Sequence, residues 1–218
     1  MRHYACSRRL LLGLVLVAAI AGISIVATGS VAAQEVDVAA SDLSGEGTQD
    51  NPYVITNASE LQAMKDDLDA HYQLGNDIDA AKTATWNDGK GFDPVGEGPF
   101  SDNEFTGSLN GSDYTINNLA INRPNEDFVG LIGSTLPPSF STESQGVITR
   151  LAVSNVNTTG NDYVGGIIGS NLGKINKSYV TGTISGNNTV GGLTGENMGE
   201  YNNGIITTSY AAVSVNGN

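Results

Sequence analysis

The sequence predicts an all-β protein, a solenoid of stacked coils that begins with a short helix-containing cap. Three observations carry this. Gly occurs 28 times in 218 residues, beside abundant Asn and Thr, while only 15% of residues are charged. A glycine phrase returns three times, as Phe128-Val129-Gly130-Leu131-Ile132-Gly133, Tyr163-Val164-Gly165-Gly166-Ile167-Ile168-Gly169 and Thr189-Val190-Gly191-Gly192-Leu193-Thr194-Gly195. Between the copies, Ile and Val fall at matching positions, as stacked coils require.

Residues 1–33 read as an export signal. Arg2, Arg8 and Arg9 make a positive start, Leu10 to Ala27 is apolar, and Val31-Ala32-Ala33 offers small residues for cleavage before Gln34. Ser7-Arg8-Arg9-Leu10-Leu11-Leu12 resembles the twin-arginine signal of folded exports. An uncleaved leader would leave a membrane anchor, because 18 apolar residues just span a bilayer. Residues 34–47 are acidic and aperiodic and read as a flexible lead-in.

Residues 48–100 read as the cap and first coil. Pro52-Tyr53-Val54-Ile55 is strand-like. Asn57 with Glu60 three residues on has capping-box spacing, and Leu61, Met64 and Leu68 share one face of a short helix. Tyr72, Leu74 and Ile78 begin strand alternation, with His71 at the end of the cap helix. A helix here shields a strand edge that would otherwise invite aggregation. The lone tryptophan, Trp86, is expected to plug the core between cap and coil.

Residues 101–218 carry the repeats. Counting from Gly146, Gly173 and Gly204, the second position is Ile148, Ile175 and Ile206, and the seventh is Val153, Val180 and Ala211. The eleventh is Ile184 and Val215 in the later coils, but Asn157 in the first, where Val156 comes one place early and signals an extra residue. Val164 to Val190 spans 26 residues, while Val129 to Val164 spans 35, which places an inserted loop around Leu136-Pro137-Pro138-Ser139. The expected repeat core is thus Ile148, Val153, Val164, Ile175, Val180, Ile184, Val190 and Ile206. The repeat glycines Gly130, Gly133, Gly165, Gly166, Gly169, Gly191, Gly192 and Gly195 mark sharp turns or close approaches between coils. Ser214-Val215-Asn216-Gly217-Asn218 repeats Thr183-Ile184-Ser185-Gly186-Asn187, and the pattern breaks off before another Val-Gly-Gly, which reads as C-terminal truncation.

The net charge of −13 excludes partners that need a basic patch. Three of the ten basic residues precede position 10 and all 23 acids lie at or after Glu35, so the chain beyond the leader carries −16. Nucleic acid is excluded on this ground, and membrane contact is expected only through an uncleaved leader. The single cysteine, Cys6, lies in the leader, so neither disulfides nor a thiolate metal site is expected.

The Val-Gly-Gly-Ile-Ile-Gly and Val-Gly-Gly-Leu-Thr-Gly phrases resemble the GLUG motif of bacterial and archaeal surface proteins, among them adhesins of the filamentous-haemagglutinin type and a group of immunoglobulin-A-cleaving peptidases. Phe105-Thr106-Gly107-Ser108-Leu109-Asn110-Gly111 and Tyr114-Thr115-Ile116-Asn117-Asn118-Leu119 resemble the phrase that opens the β-helix in such proteins, with Ser112-Asp113 where a Gly-His pair is usual. Asn51-Pro52-Tyr53-Val54-Ile55 and Tyr72 to Asp79 resemble their cap. The resemblance covers about residues 44–218 and implies a right-handed parallel β-helix, secreted or at the cell surface. With the acidic balance and the leader it suits a salt-loving archaeon.

No catalytic residue and no cofactor is expected. The peptidases of this group need His-Glu-x-x-His, and the only histidines are His3 and His71. Grouped acids of β-helix polysaccharide enzymes have their nearest counterparts in Asp77, Asp79, Asp88 and Asp93 beside Lys90. Asp77, Asp79 and Asp88 are the residues that would hold Ca²⁺ if a site existed, with solvated turn acids as the default. Asn57, Asn110, Asn157, Asn176 and Asn187 head N-glycosylation sequons. The expected function is an exported, non-enzymatic module for adhesion, binding or spacing, with a surface glycan or protein as partner and end-to-end stacking of copies as a further option. The alternative is the N-terminal part of a carbohydrate-active β-helix enzyme whose chemistry lies elsewhere.

Overall fold

The structure, a computed structural model, describes residues 38–135, 146–198 and 204–217. These all lie within one compact unit, Val36–Asn218. The leader and the loop around Leu136–Ser139 lie outside the described residues.

The described chain is a parallel β-helix. Its strands are β1 (Tyr53–Ile55), β2 (His71–Leu74), β3 (Ile78–Asp79), β4 (Ser108–Asn110), β5 (Thr115–Asn117), β6 (Ala120–Asn122), β7 (Ile132–Ser134), β8 (Val147–Thr149) and β9 (Ala152–Thr159). They continue as β10 (Asp162–Val164), β11 (Ile168–Asn171), β12 (Lys174–Asn176), β13 (Tyr179–Ser185), β14 (Asn188–Val190), β15 (Thr194–Asn197), β16 (Ile205–Thr207) and β17 (Tyr210–Asn216). Successive coils add strands to three parallel sheets, and the third sheet takes strands only from the later coils. The first sheet runs β1-β2-β4-β8-β12-β16, the second β3-β5-β9-β13-β17 with β6 also on β9, and the third β7-β11-β15, with the β10–β14 pair at a corner. Successive turns of the first sheet are 37, 39, 27 and 31 residues apart, from His71 to Ser108, Val147, Lys174 and Ile205. The first coil therefore runs past the expected boundary at residue 100.

Columns of apolar side chains fill the interior because strand residues alternate faces. Tyr72, Leu109, Ile148, Ile175 and Ile206 stack in register, as do Ile78, Ile116, Val153, Val180 and Ala211. Ile148, Val153, Val164, Ile175, Val180 and Ile184 are fully buried, and Val190 and Ile206 are partly buried against the same cluster. Burying each such side chain stabilises by about 1.5–3 kcal/mol. In the last described coil Ile205, Tyr210 and Val215 are exposed.

The extra residue of the 146–159 coil is a bulge. Thr181 of β13 faces Ser154 and Asn155 together, with Asn155 at φ 54°. Beyond it Thr158, not Val156, enters the Ile184 column, and Val156 sits opposite Gly182. A Cβ on Gly182 would lie 2.1 Å from the Val156 carbonyl oxygen, and its φ of +134° is a glycine conformation.

The double glycines answer to close packing. A Cβ on Gly165 would lie 2.2 Å from the Ile168 oxygen, one on Gly191 would lie 2.1 Å from the Thr194 oxygen, and one on Gly192 would lie 2.4 Å from Ala211 Cβ. Val129 pairs with Val164 and Ile132 with Ile168, so Leu131 of the first copy replaces two residues, Gly166 and Ile167. Leu131 turns fully inward and fills the space.

At the N-terminal side, α1 (Ala58–Gln62) starts at Asn57, whose side chain accepts a hydrogen bond from the Glu60 amide at 3.0 Å. Glu60 in turn accepts from the Thr56 amide at 2.7 Å. Leu61 and Met64 are buried, and Trp86 joins the core with 9% exposure. Two readings change. Residues 38–47 are not a loose lead-in: Ala40–Asp42 form a 3-10 turn, Leu43 is buried, and Ser44 bridges Val54. The cause is tertiary pairing that no local periodicity announces. His71 opens β2 and is not at the helix end, because the helical turns stop at Asp66.

Candidate functional site

Asp77 and Asp79 flank buried Ile78 and both point outward, as alternation requires. Their oxygens are engaged in tying coils together. Asp77 accepts from the Thr115 amide at 2.8 Å, and Asp79 accepts from Asn118 Nδ2 at 3.0 Å and the Ala81 amide at 3.1 Å. The Asn118 bond first, and the Ala81 amide second, hold the Asp79 carboxyl below its ordinary range. Asp88 lies apart in the Asn87–Gly89 turn at φ 57°. Among the described residues, no three acids, histidines or cysteines converge on a point where a metal ion could sit.

His71 Nδ1 lies 2.7 Å from Ser108 Oγ, directly across from it on the neighbouring strand. This serine–histidine contact is a ladder rung of the first sheet. Among the described residues, no acid hydrogen-bonds the other ring nitrogen.

The sequon asparagines differ in engagement. Asn57 caps α1, Asn110 accepts from the Ser112 amide at 2.9 Å, and Asn176 accepts from Thr207 Oγ1 at 2.9 Å. Asn187 is exposed and donates to Asn161 at 3.4 Å. Asn157 is exposed on the outer side of β9.

An ion-paired groove of about 530 Å³ opens between the cap and the coil, lined by Lys65, Asp93, Glu97, Asn103, Glu126 and Phe128 among others. Arg123 lies beneath it at 7% exposure. Its guanidinium reaches Asp93 at 3.0 Å and Glu126 at 2.7 Å, and its Nε donates to the Phe92 carbonyl at 3.1 Å. Lys65 pairs with Asp93 and Lys90 with Glu126. Burial pushes the Glu126 carboxyl up, but hydrogen bonds from Arg123 and Lys90 outweigh it and leave the group below its usual range. Glu126 is thereby a charge partner of Arg123 and Lys90. Sequence reading named Asp93 and Lys90 but missed Arg123, because a single arginine carries no local signal of burial.

The structure also aligns polar side chains that sequence reading did not single out. Asn171 Nδ2 donates to Asn197 Oδ1 at 2.7 Å, while Asn171 Oδ1 accepts from the Gly173 amide at 3.2 Å and Thr135 Oγ1 at 3.3 Å. The signal was present, since Asn171 and Asn197 are one repeat of 26 residues apart.

No protein-family model matches the chain. It is 37% identical over 146 residues to halomucin of Haloquadratum walsbyi, an alignment covering 65% of this chain and 2% of that protein. It is 39% identical over 92 residues to a protein of Evansella cellulosilytica named as a Gly-rich membrane protein, covering 41% of this chain and 10% of that one. The chain thus spans a small fraction of the length of both relatives. Among solved structures, a protein of Bacteroides ovatus assigned as an immunoglobulin A1 protease superposes with a TM-score of 0.45 at 19% identity, covering 79% of this chain and 69% of that one.

Proposed function

We propose that this chain is an exported, non-enzymatic module of a halophile's cell surface, where it binds and spaces other surface components. The observation that carries the reading is the stacked coil itself. Stacked parallel strands present continuous outer faces, and Asp77, Asp79 and Asp93 are held in hydrogen bonds and ion pairs. The match to halomucin, the GLUG-like phrases and the export-type leader support a surface location. An acidic surface suits high salt, where added charge keeps a protein soluble.

The test uses intact cells and an amine reagent that does not cross membranes, since Lys82 and Lys177 are exposed. Labelling of the chain on intact cells is expected. Labelling only after lysis would overturn the surface reading.

A further inference from the structure

The three long strands of the second sheet carry no charged side chain: β9, β13 and β17 hold 22 residues and none is Asp, Glu, Lys or Arg. Among the described residues the other strands are also poor in charge, with Asp79, Asp162, Lys174 and Glu196 their charged side chains. Charge gathers instead at the two corners beside this sheet. Arg150 with Asp113, and Lys177, stand where the chain enters it, and Asp127 and Asp162 where it leaves.

Apart from Ala152 and Ala212, the outward positions are hydroxyls and amides in register. Thr183 of β13 lies between Asn157 of β9 and Ser214 of β17, and Ser185 lies between Thr159 and Asn216. Parallel strands about 4.8 Å apart, with same-face side chains roughly 6.6 Å apart along each strand, make this a regular grid. Tyr179 and Tyr210 stack at its near edge with ring centroids 5.3 Å apart and planes 7° apart, and Tyr210 is 58% exposed.

We propose that this face binds a neutral polysaccharide lying across β9, β13 and β17. The proposal rests on the reading of the chain as a binding module and names its ligand class. A neutral sugar polymer offers many hydroxyls and apolar ring faces, which match a grid of Ser, Thr and Asn beside an aromatic edge. An anionic polymer would meet no cation on the face and a chain of net −13 behind it. Hydrogen bonding and aromatic contact also persist at high ionic strength, where exposed ion pairs are screened. A glycan on Asn157 would cover the grid, so binding and modification at that residue exclude each other.

The experiment uses the full chain, made in a host without N-glycosylation and kept in high salt. Sedimentation with insoluble cellulose, chitin and mannan is compared with retention on polygalacturonate resin and on a protein array. Thr183→Lys, Ser214→Lys and Tyr210→Ala are compared with Thr207→Lys, which lies on the outer face of the first sheet. The expected result is retention on at least one neutral polymer, weakened at least tenfold by the Thr183 or Ser214 change and unaltered by Thr207→Lys, among variants whose melting matches the parent. Retention on a protein or on polygalacturonate alone would overturn this proposal and leave the binding module standing. So would neutral-polymer binding that survives both lysine substitutions on the face. Retention on nothing would overturn both.

Discussion

Asn171 and Asn197 stack one coil above the other, with Asn171 Nδ2 2.7 Å from Asn197 Oδ1 and Asn171 fully buried. Asn171 Oδ1 also accepts from the Gly173 amide. Replacing Asn171 by Ala leaves the buried Thr135 hydroxyl without its acceptor, while the Gly173 amide keeps Thr135 Oγ1 at 3.0 Å, so a loss of about 1–3 kcal/mol is expected in urea unfolding. An unchanged midpoint would remove the ladder from the account of stability.

The register of the first sheet makes a sharper claim about neighbouring coils. Ile175 is fully buried whereas Ile205, which faces Lys174 one strand on, is 41% exposed. Ile175→Ala should cost about 2–5 kcal/mol and Ile205→Ala well under 1 kcal/mol. Equal losses would mean that the strand is turned over.

Gly165 is required by contact and not by a left-handed backbone. Its Cβ would lie 2.2 Å from the Ile168 oxygen and 2.7 Å from the Gly195 amide nitrogen of the next coil. Gly165→Ala should therefore destabilise by about 2–3 kcal/mol, as overpacking does. Thr189 shows the converse. It is an exposed β-branched residue held at φ 52°. Thr189→Gly, in unglycosylated protein, should raise stability by about 1 kcal/mol or leave it unchanged, since relief of strain offsets the lost chain restriction.

Arg123 links acid sensitivity to the cap. Glu126 titrates below its usual range in the folded chain, so its contribution is present above the unfolded carboxylate value and is lost as pH falls through the folded one. Thermal melting should drop as pH falls through the lower carboxylate range, and less so in Glu126→Gln. Asp93→Asn with Glu126→Gln leaves the buried guanidinium without a carboxylate and should cost about 3 kcal/mol at neutral pH.

Much of this architecture was written locally. The Ile148–Ile175–Ile206 column and the pairing of Val153 with Val180 follow from spacing counted in the sequence. The bulge was visible as a misfit at Asn157, but its remedy was not. That Thr158 would take the Ile184 position depends on where the extra residue is absorbed, which strand pairing decides. The ordered stretch from Ala40 to Ser44 was hidden because it is held by distant groups, the Asp66 carboxylate and Val54. The uncharged outer face was legible only after the register assigned Thr181, Thr183 and Ser185 to the outside.

On the proposed function, this chain holds other surface polymers without altering them. Incubation of the full chain with soluble and insoluble polysaccharides, reading retention and newly released reducing ends together, tests it most directly. Retention with no release is the predicted result, and release of reducing ends by the purified chain would contradict it.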